Sequence, residues 1–333
     1  GSGRLDGAWL LVAPTGEDRA EWVRDALARN GADVHVVHVD PEAVDWAEQL
    51  SGLPALHGVV SLLGLTAGIA ATIGLLRVLG DADVQAPLWC VTSGAVSAGA
   101  DDAVAGFEQS MLWGLGRVAA LEHPDRWGGL VDLSDTQDDT TGDLLASVLA
   151  GTSGEDQVAL RGNEILGRRL LPAPLGKASG AGWSPRGTVL VTGGTGALGA
   201  HVARWLVAKG AEHLLLTSRR GLEADGAEEL RTELTALGAR VTIAACDAAD
   251  RDALADVLAA VPAESPLTAV VHAAGVERSA ILADLDPGEL AGVLSAKVDG
   301  ARNLHELLGE TPLDAFVLFS SIAGVWGSGG QGA

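Results

Sequence analysis

Thr188-Val189-Leu190-Val191-Thr192-Gly193-Gly194-Thr195-Gly196-Ala197-Leu198-Gly199 is the stretch whose reading decides the fold. An apolar run meets a glycine-rich turn, and a helical stretch from His201 to Lys209 follows. Strand, glycine turn and helix in that order make a cradle for a diphosphate. The glycines let the backbone turn tightly and approach the ligand closely. The helix N-terminus then aims free amides and the positive end of its dipole at the phosphates. Gly194-x-Gly196-x-x-Gly199 alone is a weak pattern. The strand before it and the helix after it favour a dinucleotide fingerprint over a glycine-rich surface loop.

The next apolar run, His213-Leu214-Leu215-Leu216-Thr217, ends in Ser218-Arg219-Arg220. An NAD site usually carries an acidic residue about here, to hold the ribose 2′-hydroxyl. Guanidinium groups suit a phosphate dianion instead, so the expected cofactor is NADPH. The competing reading makes Arg219 and Arg220 ordinary solvated loop charges.

Working outward, 333 residues suggest two compact units, and a hydrophobic content of 47% can fill their cores. A formal net charge of −22 argues against nucleic acid or an anionic membrane as a general partner. No apolar run reaches membrane-spanning length, and Gly1-Ser2-Gly3-Arg4 is not a signal peptide, so a soluble cytoplasmic protein is expected. Cys90 and Cys246 each fall within an apparent strand, away from any CxxC or ligand neighbours. They read as small buried hydrophobes, with neither disulfide nor metal site. Arginine supplies 19 of the 22 basic side chains, which leaves Lys177, Lys209 and Lys297.

Pro172 to Pro185 is rich in Pro, Gly and Ala and reads as a linker, dividing the chain into units 1–180 and 181–333. The first half echoes the second. Leu10-Leu11-Val12 corresponds to the strand around Leu190-Val191, and Ala28-Arg29-Asn30-Gly31-Ala32 to Ala208-Lys209-Gly210-Ala211. His57 to Gly64 echoes Thr268 to Gly275, and Trp89 to Ser93 echoes Val317 to Ser321. On that register Pro14, Glu17 and Ala20 stand where Gly193, Gly196 and Gly199 do. Proline has no amide to offer and glutamate repels phosphate, so the first copy is expected to hold no dinucleotide. Both halves alternate short apolar strands with amphipathic helices, the pattern of a doubly wound parallel sheet. Gly210 and Gly238 close two of the helices, and Gln157 to Leu171 reads as a hairpin turning at Gly162-Asn163.

Phe316-Val317-Leu318-Phe319-Ser320-Ser321 reads as a buried strand with hydroxyls at its C-terminal edge, where doubly wound sheets place ligands. Alternation puts Ser321 toward the cofactor and Ser320 away from it; both serines capping the next turn is the plainer alternative. Lys297 interrupts the inward stripe Leu290, Val293, Leu294, Ala301, Leu304. Its ammonium either snorkels to an edge or serves the site.

Together these residues resemble a ketoreductase domain of a modular type I polyketide synthase, within the short-chain dehydrogenase/reductase superfamily. The resemblance is carried by Thr192 to Gly199, Ser218-Arg219-Arg220, Cys246-Asp247, His272-Ala273-Ala274-Gly275, the run from Ser295 through Lys297 to Leu304, and Phe316 to Ser321. Pro124 to Asp132 fits the truncated, cofactor-free copy that such domains carry at their N-terminus. The resemblance implies an α/β fold of two Rossmann-like subdomains. It also implies NADPH-dependent reduction of a β-ketone on an acyl chain carried by the phosphopantetheine of an acyl carrier protein, beside neighbouring synthase domains.

By the same resemblance Thr192, Gly193, Gly194, Thr195, Gly196, Ala197, Leu198, Gly199, Ser218, Arg219, Arg220, Cys246, Asp247, His272, Ala273, Ala274, Gly275 and Lys297 hold the cofactor. Asp247 lies by the adenine. Ser321 binds the ketone oxygen, and Lys297 lowers the pKa of a tyrosine that delivers the proton. That tyrosine falls one position past Ala333, and the 333 residues contain none. The sequence therefore reads as cut short, and the fragment alone is expected not to reduce ketones. Glu277-Arg278-Ser279 replaces the Leu-Asp-Asp of one stereochemical class, and Trp326 matches the marker of the other. Gln331 stands where epimerising members carry histidine. The pattern implies an A1-type domain giving an L-hydroxyl. A catalytically silent, structural reductase-like domain is the alternative from another class.

Overall fold

Ala8–Pro14 is buried along its whole length, as a central strand covered on both faces must be. It is the first strand, β1, of a computed structural model that describes residues 3–41, 46, 49–50, 52–66, 68–174, 182–276 and 278–332. Lys177 and half of the expected linker, residues 175–181, lie outside the described residues, as do Glu277 and Ala333. The chain forms two compact α/β units.

In the first unit β1 is joined by β2 (Asp33–Val39), β3 (Leu56–Ser61), β4 (Leu88–Ser93), β5 (Trp127–Leu133), β6 (Gln157–Arg161) and β7 (Glu164–Gly167). The sheet order is β2-β1-β3-β4-β5-β6-β7. Every pairing is parallel except the β6–β7 hairpin, which turns at Gly162 as its sequence predicts. Helices α1 (Arg19–Arg29), α2 (Leu63–Thr66), α3 (Gly68–Asp81), α4 (Ser110–Glu122) and α5 (Asp139–Leu149) accompany it. One core layer joins Trp9, Leu11, Val60, Val91, Val131 and Val158 of the sheet to Val23, Leu27, Leu145 and Val148 of α1 and α5.

The second unit has an all-parallel five-stranded sheet ordered β10-β9-β8-β11-β12. Its strands are β8 (Thr188–Thr192), β9 (His213–Ser218), β10 (Arg240–Ala245), β11 (Leu267–His272) and β12 (Ala315–Leu318). Its helices are α6 (Ala197–Ala208), α7 (Ala227–Ala236), α8 (Arg251–Ala259), α9 (Pro287–Leu294) and α10 (Gly300–Leu308). Separate apolar clusters cover the two faces: Val189, Leu206, Leu214 and Leu234 on one, Leu190, Leu215, Leu254 and Leu304 on the other.

The echo in the sequence is an echo in topology. β1 and β8 are each flanked by the next strand on one side and by β3 or β11 on the other, which is the switch point of a doubly wound sheet. The copies differ where the first runs from β2 to β3 through residues 40–55. The second spends α7, β10 and α8 on the equivalent passage. Among the described residues, the first sheet has no counterpart of the edge strand that β10 supplies in the second.

The expected division at 180/181 gives two continuous blocks. In the structure the first unit takes Gly1–Ala173 together with Ser279–Leu285 and Ile322–Gly332, and the second takes Pro174–Arg278 and Asp286–Ser321. Charged side chains bind the two later segments to the first unit by their backbones. Glu122 accepts from the amides of Leu282 and Gly330, both at 2.7 Å. Arg117 and Arg168 each donate at 2.6 Å to carbonyls of the short helix α11 (Ala323–Trp326), those of Gly324 and Val325. Arg77 donates to the Ala283 carbonyl at 2.8 Å. Gln331 pairs with Ala280 in an isolated parallel bridge.

Two local expectations are corrected. Cys246 lies just beyond β10 rather than within a strand, although it is buried as expected. The run Phe316 to Phe319 is not buried: its four side chains are 39–49% exposed. β12 is the edge of the sheet, and no described strand pairs with its outer side.

Candidate active site

The glycine turn is built as the motif requires. Gly193 has φ +66°, and a Cβ there would lie 2.8 Å from the Ala273 carbonyl oxygen. α6 begins at Ala197, earlier than the sequence suggests, so Gly199 sits inside its first turn. A Cβ on Gly199 would lie 2.2 Å from the Gly193 oxygen, which is why helix and strand need glycine to come this close. Gly196 caps the helix without any side-chain hydrogen bond, so its first amides face outward.

Beside this turn lies a cavity of about 750 Å³ at the C-terminal edge of β8, β9 and β11. Its wall includes Thr192, Gly193, Thr195 and Gly196 from the turn, Ser218, Arg219 and Arg220 after β9, Cys246 and Asp247 after β10, and Ala273, Ala274 and Gly275 after β11. The ends of four strands thus converge on one crevice. Gly194, Ala197, Leu198, Gly199, His272, Lys297 and Ser321 are not part of that wall. Gly194 instead packs against β9, where a Cβ would meet Leu216 at 2.7 Å.

The two arginines are not equivalent. Arg220 is paired with Asp225 at 3.6 Å, while Arg219 has no ion pair among the described residues. Ser218 accepts from the Gly221 amide at 3.1 Å and so shapes the turn that carries both. Thr217, Asp225, Val276, Gly292, Ser295 and Ala296 also line the cavity, and the sequence reading missed them. Most are ordinary loop residues placed by topology. Asp225, close behind the arginine pair, is the one that a charge pattern could have revealed.

His272, expected to hold cofactor, lies behind the wall. It is 4% exposed, and its Nδ1 is 2.7 Å from Thr192 Oγ1. Burial holds this imidazole below its ordinary titration range, and the backbone at Lys297 and Ala296 pulls it partly back up. Burial also pushes the Cys246 thiol up to about 11, reinforced by Asp247 and Asp250, so it is no thiolate nucleophile.

Lys297 lies on a π-turn, Ser295–Asp299, between α9 and α10. The wider turn breaks the helical phase that would have pointed the lysine inward; Val293 and Gly300 are buried, and Lys297 is exposed. Its stem runs past Gly275, where a Cβ would lie 3.6 Å from Cε. Ser321 is exposed, just after β12. Trp326 and Gln331 both belong to the segment Ile322–Gly332, which is part of the first unit. No group of three or more His, Cys, Asp or Glu side chains among the described residues could hold a metal ion, and none of their helices is long and apolar enough to cross a membrane.

A dinucleotide fits this set. The cradle has room only because Cβ atoms are missing, free helix amides flank it, and a guanidinium without a carboxylate partner stands on the same wall.

Comparison with known proteins agrees with this geometry. Residues 187–333 match the KR domain family, and residues 9–170 match the Rossmann fold domain of the polyketide synthase extender module SpnB. Pikromycin polyketide synthase component PikAIII of Streptomyces venezuelae is 50% identical over 335 residues, covering 100% of this chain. The chain spans 21% of that relative's length. Among solved structures, one described as A-type ketoreductases from a modular polyketide synthase is 49% identical, with TM-score 0.90, covering 100% of this chain and 74% of its own. An A1-type ketoreductase is 48% identical, with TM-score 0.89 and the same coverage.

Proposed function

Because the chain belongs to the ketoreductase domain family of modular polyketide synthases, we propose that it takes part in reducing the β-keto group of an intermediate tethered to an acyl carrier protein, with NADPH as the reductant. The observation that carries this reading is the crevice wall shared by the glycine turn and Arg219. The turn's amides receive the diphosphate, and Arg219 receives the 2′-phosphate with a charge-assisted fork that NADH cannot engage.

NADPH, when bound, supplies the hydride. Ala273, Ala274 and Gly275 form the side of the crevice along which the nicotinamide half lies. Ser321 donates to the ketone oxygen and stabilises the growing alkoxide, as positioned donors do in such reductions. Lys297 contacts the ribose and lowers the pKa of the proton donor by its charge. In this reading the donor is a tyrosine. These residues include none, so the reduction is assigned to the synthase domain that contains them. Trp326 and Gln331 support an A1-type outcome, an L-hydroxyl without α-epimerisation, in keeping with the A-type and A1-type ketoreductases that the chain resembles.

The other reading is a silent domain that retains the fold alone. Fluorescence titration with NADPH and NADH separates the two. NADPH is expected to bind about tenfold or more tighter than NADH, and Arg219→Ala should erase most of that preference. Absence of NADPH binding would support the silent domain. Chiral analysis of the product made by the intact synthase tests the stereochemistry, and a D-hydroxyl would overturn that part.

A further inference from the structure

Between α9 and α10 the helical ladder changes step. The Gly300 amide bonds to the Ser295 carbonyl, five residues back, instead of the usual four. Such a turn inserts one residue and leaves a carbonyl without its amide. The backbone of Ala296 and Lys297, within this turn, acts on the His272 ring. Gly300 packs against that ring: a Cβ there would lie 2.9 Å from His272 Cε1 and 3.4 Å from Nε2. His272 Nε2 is buried and has no hydrogen-bond partner.

The opposite ring nitrogen fixes where the proton is. Thr192 Oγ1 accepts from the Ala274 amide at 3.4 Å and pairs with His272 Nδ1 at 2.7 Å, and in the tautomer inferred here it donates its hydrogen to Nδ1. Nδ1 is then the acceptor and Nε2 carries the hydrogen. A buried N–H next to surplus carbonyls has one economical solution, a hydrogen bond shared between them.

We propose that His272 is a positioning residue for Lys297: its Nε2–H, set in that tautomer by Thr192, braces the π-turn and fixes the direction in which the turn presents the lysine past Gly275. The chain Ala274 amide, Thr192 hydroxyl, His272 ring, π-turn then ties the diphosphate cradle to the lysine. The inference rests on the proposed role of Lys297 for its consequence in the reaction, but the brace can be tested without it.

His272→Phe keeps an aromatic ring and removes both nitrogens; His272→Gln keeps a donor. Hydrogen exchange followed by mass spectrometry on the 333-residue chain should show amides of 295–303 exchanging about five- to tenfold faster in His272→Phe, with β1 and β8 unchanged and His272→Gln largely restored. Amine acylation of Lys297 should change several-fold relative to Lys209, which serves as the internal reference. Thr192→Val, which removes the tautomer-setting hydroxyl, should give the same localised pattern and serves if His272→Phe does not fold. Exchange over 295–303 that stays at the wild-type rate in folded His272→Phe, or in Thr192→Val, would overturn the brace. NADPH titration of the wild-type chain is read separately: failure to bind would sink the proposed function while leaving the exchange result to decide the brace.

Discussion

The turns after β1 and β8 start from the same architecture and reach opposite ends. After β8, glycines bring strand and helix together and leave the first amides of α6 uncapped. After β1, Glu17 folds its carboxylate back onto the Arg19 amide at 3.1 Å, at the start of α1. The first copy thus supplies its own anion where the second leaves the position to a ligand. At its strand ends the first copy is likewise partnered from within: Thr92 donates to Asp132 at 2.6 Å and accepts from Trp113 at 3.0 Å. Asp132 is in turn held by Arg161 at 2.6 Å, and Arg161 also binds Asp102 and the Val96 carbonyl. The first copy keeps the sheet while the polar groups at its turn and strand end find partners within it.

The contrast is broken most directly at Arg161. Its partner Asp132 has a fully buried side chain, so Arg161→Ala strands a carboxylate in the first unit. A loss of about 3–5 kcal/mol in denaturant unfolding is expected, because an uncompensated buried charge is costly. NADPH affinity should survive in whatever remains folded. A weakened affinity in the folded fraction would mean that the first copy is not purely structural.

Gly199→Ala attacks the other side. The added Cβ would press on the backbone oxygen of Gly193 and on Gly194, neither of which is a flexible side-chain tip. A cost of about 1–3 kcal/mol from overpacking is expected, together with loss of NADPH binding measured by titration. The matched change at Ala20, to Gly, should leave NADPH binding unchanged, since the first copy has no open cradle to improve.

A smaller effect sharpens the comparison through pH. Burial, aided by nearby Arg240, holds the His213 imidazole below its ordinary value of 6.5. The unfolded chain accepts a proton that the folded chain resists. This contribution is complete above that value and is lost as pH falls through it, by at most about 1.4 kcal/mol per pH unit for one imidazole. His213→Gln should therefore flatten the fall in thermal midpoint between pH 7 and pH 5.5. An unchanged slope would place the acid sensitivity elsewhere, for example at buried His272.

Much of the second unit could be read in advance because its signals are local. The glycines, the apolar run before them and the arginines after β9 lie within one strand–turn–helix–strand passage, and each carries its reason in its own side chain. The echo between halves was legible for the same cause. The exposure of β12 was not, since an apolar run reads as buried whether it lies at the centre or the edge of a sheet. Lys297 misled in another way: its apolar neighbours keep regular helical spacing, and nothing in them announces the extra residue of the π-turn. Gly300, needed for close approach to His272, was its trace. The attachment of Ser279–Leu285 and Ile322–Gly332 to the first unit was hidden because Glu122, Arg117 and Arg168 bind main chain, which leaves no complementary pattern in the partner sequence.

That last feature bears on how such a domain can diversify. An anchor that holds amides and carbonyls makes no demand on the exposed side chains it secures. Trp326 and Gln331 can be exchanged while the backbone stays seated in the same socket, provided Gly327 and Gly330 keep their positive φ and Gly332 its close approach to Leu282. Exchanging those side chains, with Glu122, Arg117, Arg168 and the three glycines left in place, is the least disruptive way to vary this stretch.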